Sequence, residues 1–222
     1  MKKTILIVAA LAAVVLAAAL LRPSGGKPPG AQAITGLPWQ IEILPDGHSR
    51  VFGLTLAAST LGDARQRFGS DMEVALVAAP GEAGSLEAYY NQVTAGVLTG
   101  KMILTAALDK ETVERMRQNA VRKGRMESTT RKFSLSADDL TQAYATPIES
   151  ITFIPSASFD ADIALSHFGQ PTERIRSSAQ VENLLYPAKG LALTLDSEGK
   201  EVLQYVTPQQ FARLRDPLLK KH

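Results

Sequence analysis

The chain has 222 residues, 45% of them hydrophobic and 21% charged. That is too apolar for a disordered chain and long enough for one ordinary domain or two small ones. A net charge of +2 supplies no global field for nucleic acid, and the lack of cysteine excludes disulfides, thiolate metal sites, cysteine nucleophiles and a lipid-modified N-terminal cysteine.

Lys2 and Lys3 precede seventeen uninterrupted apolar residues, 5–21, closed by Arg22. The stretch is short for a membrane span and long for a signal-peptide core. Residues 1–21 therefore read as a single-pass anchor, with a signal peptide removed near Ala17-Ala18-Ala19 as the alternative. The two lysines favour an N-terminus inside, which sends the rest of the chain outside a bacterial inner membrane, into the periplasm. Residues 22–36 hold three prolines and four glycines and read as a linker partly stiffened by proline.

Folded sequence is expected from Leu37. Trp39, Ile41 and Ile43 alternate with Gln40 and Glu42, the period of a half-buried strand, and Trp39 reads as a core residue rather than a membrane-interface anchor. Pro45-Asp46-Gly47 supplies a turn, after which residues 51–56 return as the second arm of a hairpin. Thr60 with Asp63 three residues on opens a helix; Leu61, Ala64 and Phe68 share one face and Gly69 ends it. Strands are predicted over 74–79, 86–90 and 102–106. A helix follows Asp109, with Val113, Met116 and Ala120 on one face. Arg122 and Lys123 fall in its last turn and Gly124 is its stop.

Residues 125–150 read as a connection with a short helix after Ser136. Then come a strand over 151–154, a helix over 159–168 stopped by Gly169 and Pro171, and strands over 180–186, 191–195 and 202–206. Thr207-Pro208-Gln209-Gln210 opens a last helix, with threonine as the cap and glutamine available for the reciprocal bond.

Landmarks of the later stretch repeat those of the earlier one 98 to 100 residues away: Phe68-Gly69 and Phe168-Gly169, the turns at Gly100-Lys101 and Gly199-Lys200, and the helix starts at Asp109 and Thr207. This reads as a diverged internal duplication of β-α-β(3–4)-α units. The expected fold is α+β, with antiparallel sheets and helices on one face. A first repeat covers 37–124 with its leading hairpin, and a second covers 151–222.

Within the second repeat, Phe168-Gly169-Gln170-Pro171, Leu185-Tyr186-Pro187, Gly190-Leu191-Ala192-Leu193 and Glu198-Gly199-Lys200 resemble the SmpA/OmlA family of small bacterial envelope lipoproteins. The similarity covers residues 159–206. It implies a helix followed by a three-stranded sheet in a periplasmic domain that holds envelope proteins together without enzymatic activity. The chain departs from that family in having no cysteine to lipidate, in its repeat and in its apolar N-terminal stretch.

No motif with a catalytic mechanism accompanies His48, His167 or His222. Residues 96–101 lack the spacing and the hydroxyl of a phosphate loop and read as a hairpin turn. Asp138-Asp139 and Asp160-Ala161-Asp162 sit where carboxylates stabilise a helix N-terminus. Residues 109–132 hold eight Lys/Arg against four Asp/Glu. Of these, Arg115, Arg122, Lys123 and Arg125 form a candidate contact for anionic lipid headgroups or an acidic partner; a solvated helix face is the plainer reading. No metal or cofactor site is expected. The sequence thus points to a membrane-anchored periplasmic scaffold that binds envelope proteins and is not an enzyme. The alternative is a small-molecule or lipid binder with a pocket between the repeats.

Overall fold

Among the described residues the chain forms thirteen strands, three of them only two or three residues long, and five α-helices, four of which open at a side-chain cap. The computed structural model describes residues 34–125 and 130–220. The predicted anchor over 5–21, the linker up to residue 33 and His222 lie outside the described residues. In chain order the elements are β1 (Glu42–Ile43), β2 (Ser49–Val51), β3 (Leu54–Thr55), α1 (Leu61–Phe68), β4 (Glu73–Ala78), β5 (Ser85–Ala95), β6 (Leu98–Ala106), α2 (Lys110–Gln118), β7 (Arg122–Arg125) and β8 (Arg131–Ser134). They continue with α3 (Ala137–Tyr144), β9 (Ile148–Pro155), α4 (Ala161–Phe168), β10 (Glu173–Arg176), β11 (Val181–Tyr186), β12 (Leu191–Asp196), β13 (Val202–Tyr205) and α5 (Ala212–Leu219). Among the described residues no helix is long and apolar enough to cross a membrane.

The fold is α+β and its sheets are antiparallel. Strands β1 to β3 make a small sheet, and the other ten form one large sheet in the order β10-β11-β12-β13-β9-β6-β5-β4-β8-β7. Four helices begin where a side chain satisfies an otherwise unpaired backbone N–H. Thr60, Asp109, Ser136 and Asp160 each accept from the N–H three residues on, and Thr60 with Asp63 completes a reciprocal capping box.

The two stretches that share landmarks also share geometry. Helices α1 and α4 both end at a Phe-Gly pair whose glycine has positive φ, 101° and 81°. In each, a tyrosine two strands later donates to that glycine's carbonyl: Tyr90 Oη to Gly69 O at 3.3 Å, and Tyr186 Oη to Gly169 O at 3.0 Å. One predicted landmark moves. Gly100-Lys101 is not a turn but lies within β6; the corner is Gly96-Val97, with Gly96 at φ 65° in the first position of a two-residue hairpin. Gly199 remains in the turn between β12 and β13.

The halves join edge to edge through β6 and β9, which pair from Gly100↔Pro155 to Ala106↔Ile148. The inward residues of both halves therefore enter one core, in which Leu86, Tyr90, Met102, Leu104, Ile151, Phe153, Leu184, Leu193, Leu203 and Tyr205 are all buried. Helices α1, α2 and α4 contribute Leu61, Ala64, Val113, Met116, Ala164 and Phe168 to the same core. The expectation of helices on one face fails at the C-terminus. Leu185, Ala192 and Val206, which alternate with the inward residues, form a second cluster covered by Phe211 and, from α5, Leu214 and Leu218. Ion pairs of Arg213 with Glu149 on β9 and of Arg215 with Glu173 on β10 (2.7 Å) hold α5 across that end of the sheet.

Three local expectations are corrected. First, α2 stops at Asn119, and Arg122 and Lys123 are not its last turn. Val121 N donates to Ser134 O at 3.0 Å and Arg122–Arg125 pair with β8, so the ladder captures this segment and Gly124 lies in a strand rather than at a helix stop. Second, Thr207 makes no side-chain cap; it precedes a 3₁₀ turn, Pro208–Gln210, and α5 begins only at Ala212. Third, residues 51–56 are not one strand arm. Phe52-Gly53 is itself the two-residue corner between β2 and β3, with φ of 55° and 74°. A left-handed conformation costs a non-glycine residue about 1–2 kcal/mol. Phe52 is 1% exposed, against Phe153 (ring centroids 5.2 Å) and Tyr205 (5.4 Å). Burying a phenylalanine is worth about 1.5–3 kcal/mol, so the packing wins.

The leading hairpin thus sits on the later half of the chain. Ser49 Oγ donates to Val206 O (3.1 Å), Tyr205 Oη to Pro38 O (3.0 Å), and Trp39 stacks on His167 at 3.8 Å with 11° between the rings. Trp39 also meets Phe168 edge-on, which makes it a core-packing residue as expected. Only Glu42–Ile43 of the predicted first strand is in a ladder; Gln40 N bonds back to Leu37 O instead.

Candidate binding surfaces

The four basic residues do not form one patch on a helix. Arg115 is on α2, and its guanidinium donates to Asp139 Oδ1 and Gln142 Oε1 on or beside α3, both at 2.6 Å. It is a tie between two helices. Arg122 is exposed on β7, and Lys123 and Arg125 continue that strand at the free end of the sheet. Basic residues on an edge strand discourage another chain from adding to its unpaired N–H and C=O groups. The opposite edge, β10, is likewise charged: Glu173 pairs with Arg215 and Arg174 with Glu182. Both edges resist strand addition.

Asp139 is 2% exposed. Burial alone would raise its pKa, but hydrogen bonds from Ser136 and Arg115 and the Arg115 charge outweigh that and hold it below the usual carboxylate range. Asp160 caps α4 through Ile163 N at 2.9 Å. His48 leans on Asp46 at 3.3 Å and His167 stacks on Trp39. Among the described residues, no three His, Cys, Asp or Glu side chains stand close enough to share a metal ion.

The outer face of the large sheet is different. Tyr89↔Ile103, Ile103↔Thr152 and Thr152↔Gln204 are direct cross-strand partners, so Tyr89, Ile103, Thr152 and Gln204 form one row across β5, β6, β9 and β13. Their inward neighbours Tyr90, Met102, Leu104, Ile151 and Phe153 are buried, while this row stays half-exposed. Ile154, beside Lys101 in the next register, extends it.

A cleft of about 500 Å³ lies on the helix-bearing side, bounded by the start of α4, the β10–β11 turn and the β12–β13 turn. Phe159, Ile163 and Leu195 give it an apolar wall, and Asp160, Asp196 and Glu201 give it carboxylates. Glu201 is 5% exposed; its Oε1 accepts from Phe159 N at 3.2 Å, and Oε2 has no partner among the described residues. Glu201 lies between the predicted turn at Gly199-Lys200 and the predicted strand over 202–206. The signal for its burial was there: Glu201 shares the parity of Leu203 and Tyr205, the inward positions of β13. The seam between the halves is itself a ladder, with Gly100 against the Phe153 ring, and this cleft does not lie on it. No family model, curated protein or solved structure matches the chain.

Proposed function

We propose that this is an anchored interaction module of a bacterial envelope, held to the inner membrane through residues 5–21 with its α+β portion in the periplasm, binding envelope proteins without catalysing a reaction. The chain would have arisen by internal duplication, and its later half would be an SmpA/OmlA-like unit. In support of the duplication, both helix stops are Phe-Gly pairs bonded by a tyrosine. The similarity in the later half rests on the Gly-x-Pro stop after α4 and the β10-β11-β12 meander that follows it.

The observation that carries the binding role is the half-exposed row Tyr89, Ile103, Thr152 and Gln204 on the outer face. Interfaces are enriched in aromatic residues and poor in charge at their centres, and this row has that composition in the middle of the sheet. The charged edges make the face, rather than strand addition, the surface offered to a partner. Photo-crosslinking residues placed singly at Tyr89, Ile103 and Thr152 of the full-length protein in cells test this. A discrete adduct with one envelope protein from these positions, and none from exposed Gln66 on α1, is the expected result. Ile103→Lys should abolish the adduct while costing about 1 kcal/mol, the scale of strand propensity and cross-strand pairing at a half-exposed position. No adduct from any of the three positions would end the proposal.

A further inference from the structure

The cleft at the start of α4 is unlike an ordinary surface dimple because an almost fully buried carboxylate, Glu201, forms part of its floor. One oxygen of that carboxylate is satisfied by Phe159 N at 3.2 Å, and the other, Oε2, has no hydrogen-bond partner among the described residues. Enclosing a carboxylate oxygen carries a heavy desolvation penalty unless a donor reaches it.

The surroundings select the kind of donor. A helix N-terminus ordinarily attracts an anion, but here the chain supplies its own, since the Asp160 carboxylate accepts from Ile163 N at 2.9 Å. Asp196 adds a second negative wall, its Oδ1 already turned to Glu198 N at 3.0 Å. Among the described lining residues Arg176 is the one cation, facing four carboxylates once Glu182 is included. Glu182 is the partner of Arg174, 3.5 Å away, so among the described residues Asp160, Asp196 and Glu201 remain without an ion-pair partner. The other wall is apolar. Ile163 is 45% exposed beside Phe159 and Leu195, which leaves greasy surface next to uncompensated negative charge. A positive head on a methylene stem satisfies both walls at once.

We propose that this cleft binds an alkylammonium group, with its carbon stem along Phe159, Ile163 and Leu195 and its ammonium donating to Glu201 Oε2. Asp160 and Asp196 add attraction at longer range. The group has two sources, a free diamine or the lysine side chain of a polypeptide segment. The site is separate from the outer face of the sheet and stands or falls independently of it.

Calorimetric titration of the full-length protein in detergent tests this with three probes: 1,5-diaminopentane, its neutral analogue 1,5-pentanediol, and a lysine blocked at both backbone ends. The expected result is saturable one-to-one binding of an amine and none of the diol. Binding of the diamine alone assigns a free polyamine; binding of the blocked lysine as tightly or more so assigns a polypeptide. Glu201→Gln keeps a carbonyl oxygen for Phe159 N and replaces the unpartnered acceptor by a donor, and should weaken the amine about tenfold or more. Should that variant fail to fold, Ile163→Ser, at an exposed position, should weaken the amine several-fold by shortening the apolar wall. The proposal is overturned if neither amine binds at concentrations up to about 10 mM, a tenfold margin over millimolar affinity. It is equally overturned if the diol binds as tightly as the diamine, or if binding survives both substitutions unchanged.

Discussion

Asp139 shows how a single side chain makes the fold sensitive to acid. It is buried, and Ser136 and Arg115 hold its pKa below the usual range despite that burial. A carboxylate whose folded pKa is depressed contributes stability that is complete above its unfolded pKa, about 4, and is lost as pH falls through the folded value. Urea titrations from neutral pH down through that window should show this loss in the native protein and a flatter profile in Asp139→Asn. At neutral pH, Arg115→Met should cost about 1–2 kcal/mol, since a half-exposed guanidinium is removed from a buried carboxylate that keeps its bond from Ser136, and the cost should shrink in acid as Asp139 gains a proton. An unchanged midpoint at neutral pH would show that Ser136 suffices. Asp139 was legible in the sequence as a carboxylate in the first turn of a helix, three residues after Ser136. Its ion pair with Arg115, 24 positions earlier, was not. Phe52 was illegible for a related reason: nothing local favours phenylalanine at φ 55°, and Phe153 and Tyr205, which hold it there, lie a hundred residues or more ahead.

At the scale of elements, the seam between β6 and β9 is the most exacting contact in the large sheet. Gly100 faces inward there, and a Cβ added to it would stand 2.5 Å from Ile154 O and 2.6 Å from the Phe153 ring. Neither neighbour is the free end of a flexible side chain. Gly100→Ala should therefore destabilise by about 1–3 kcal/mol, the usual range for overpacking a core. Proton exchange should accelerate in β6 and β9 before it does in β11 and β12. Uniform acceleration, or none, would mean the seam absorbs the methyl. Sequence periodicity located most strands because inward and outward residues alternate along them. It could not mark Gly100 as a strand position, since glycine carries no sign of a buried face. Nor could it separate α2 from β7. Residues 119–125 have no apolar alternation, and only β8, which begins six positions after β7 ends, tells them to extend.

Among the described residues, the start of the folded part, at Pro38, meets β13 near the other end of the sequence. Tyr205 is fully buried, its pKa raised well above the ordinary phenol value by desolvation, and its hydroxyl donates to Pro38 O. Tyr205→Phe should cost about 1 kcal/mol and lower Tm by about 2–4 °C. Exchange of the Gln40 amide, which bonds to Leu37 O, should quicken beyond what that global loss explains. If Gln40 exchanges only in step with the rest, the bond does not hold the segment. Most of the longer strands, four of the helix starts and the similar helix stops of the two halves could be read from the sequence, whereas β7, β8 and β10 could not. That the leading hairpin would settle on the later half could not, because it depends on Ser49, Trp39 and Tyr205 finding partners far along the chain.

That contact has a mechanical consequence. A pull on the chain ahead of Ile34 arrives at Pro38, which is clasped to β13, and at Trp39, which lies on α4. Strand β13 has β12 on one side and β9 on the other. Tension is therefore delivered to an interior strand and shared by two ladders, where a chain joined to an outermost strand would be peeled off one bond at a time.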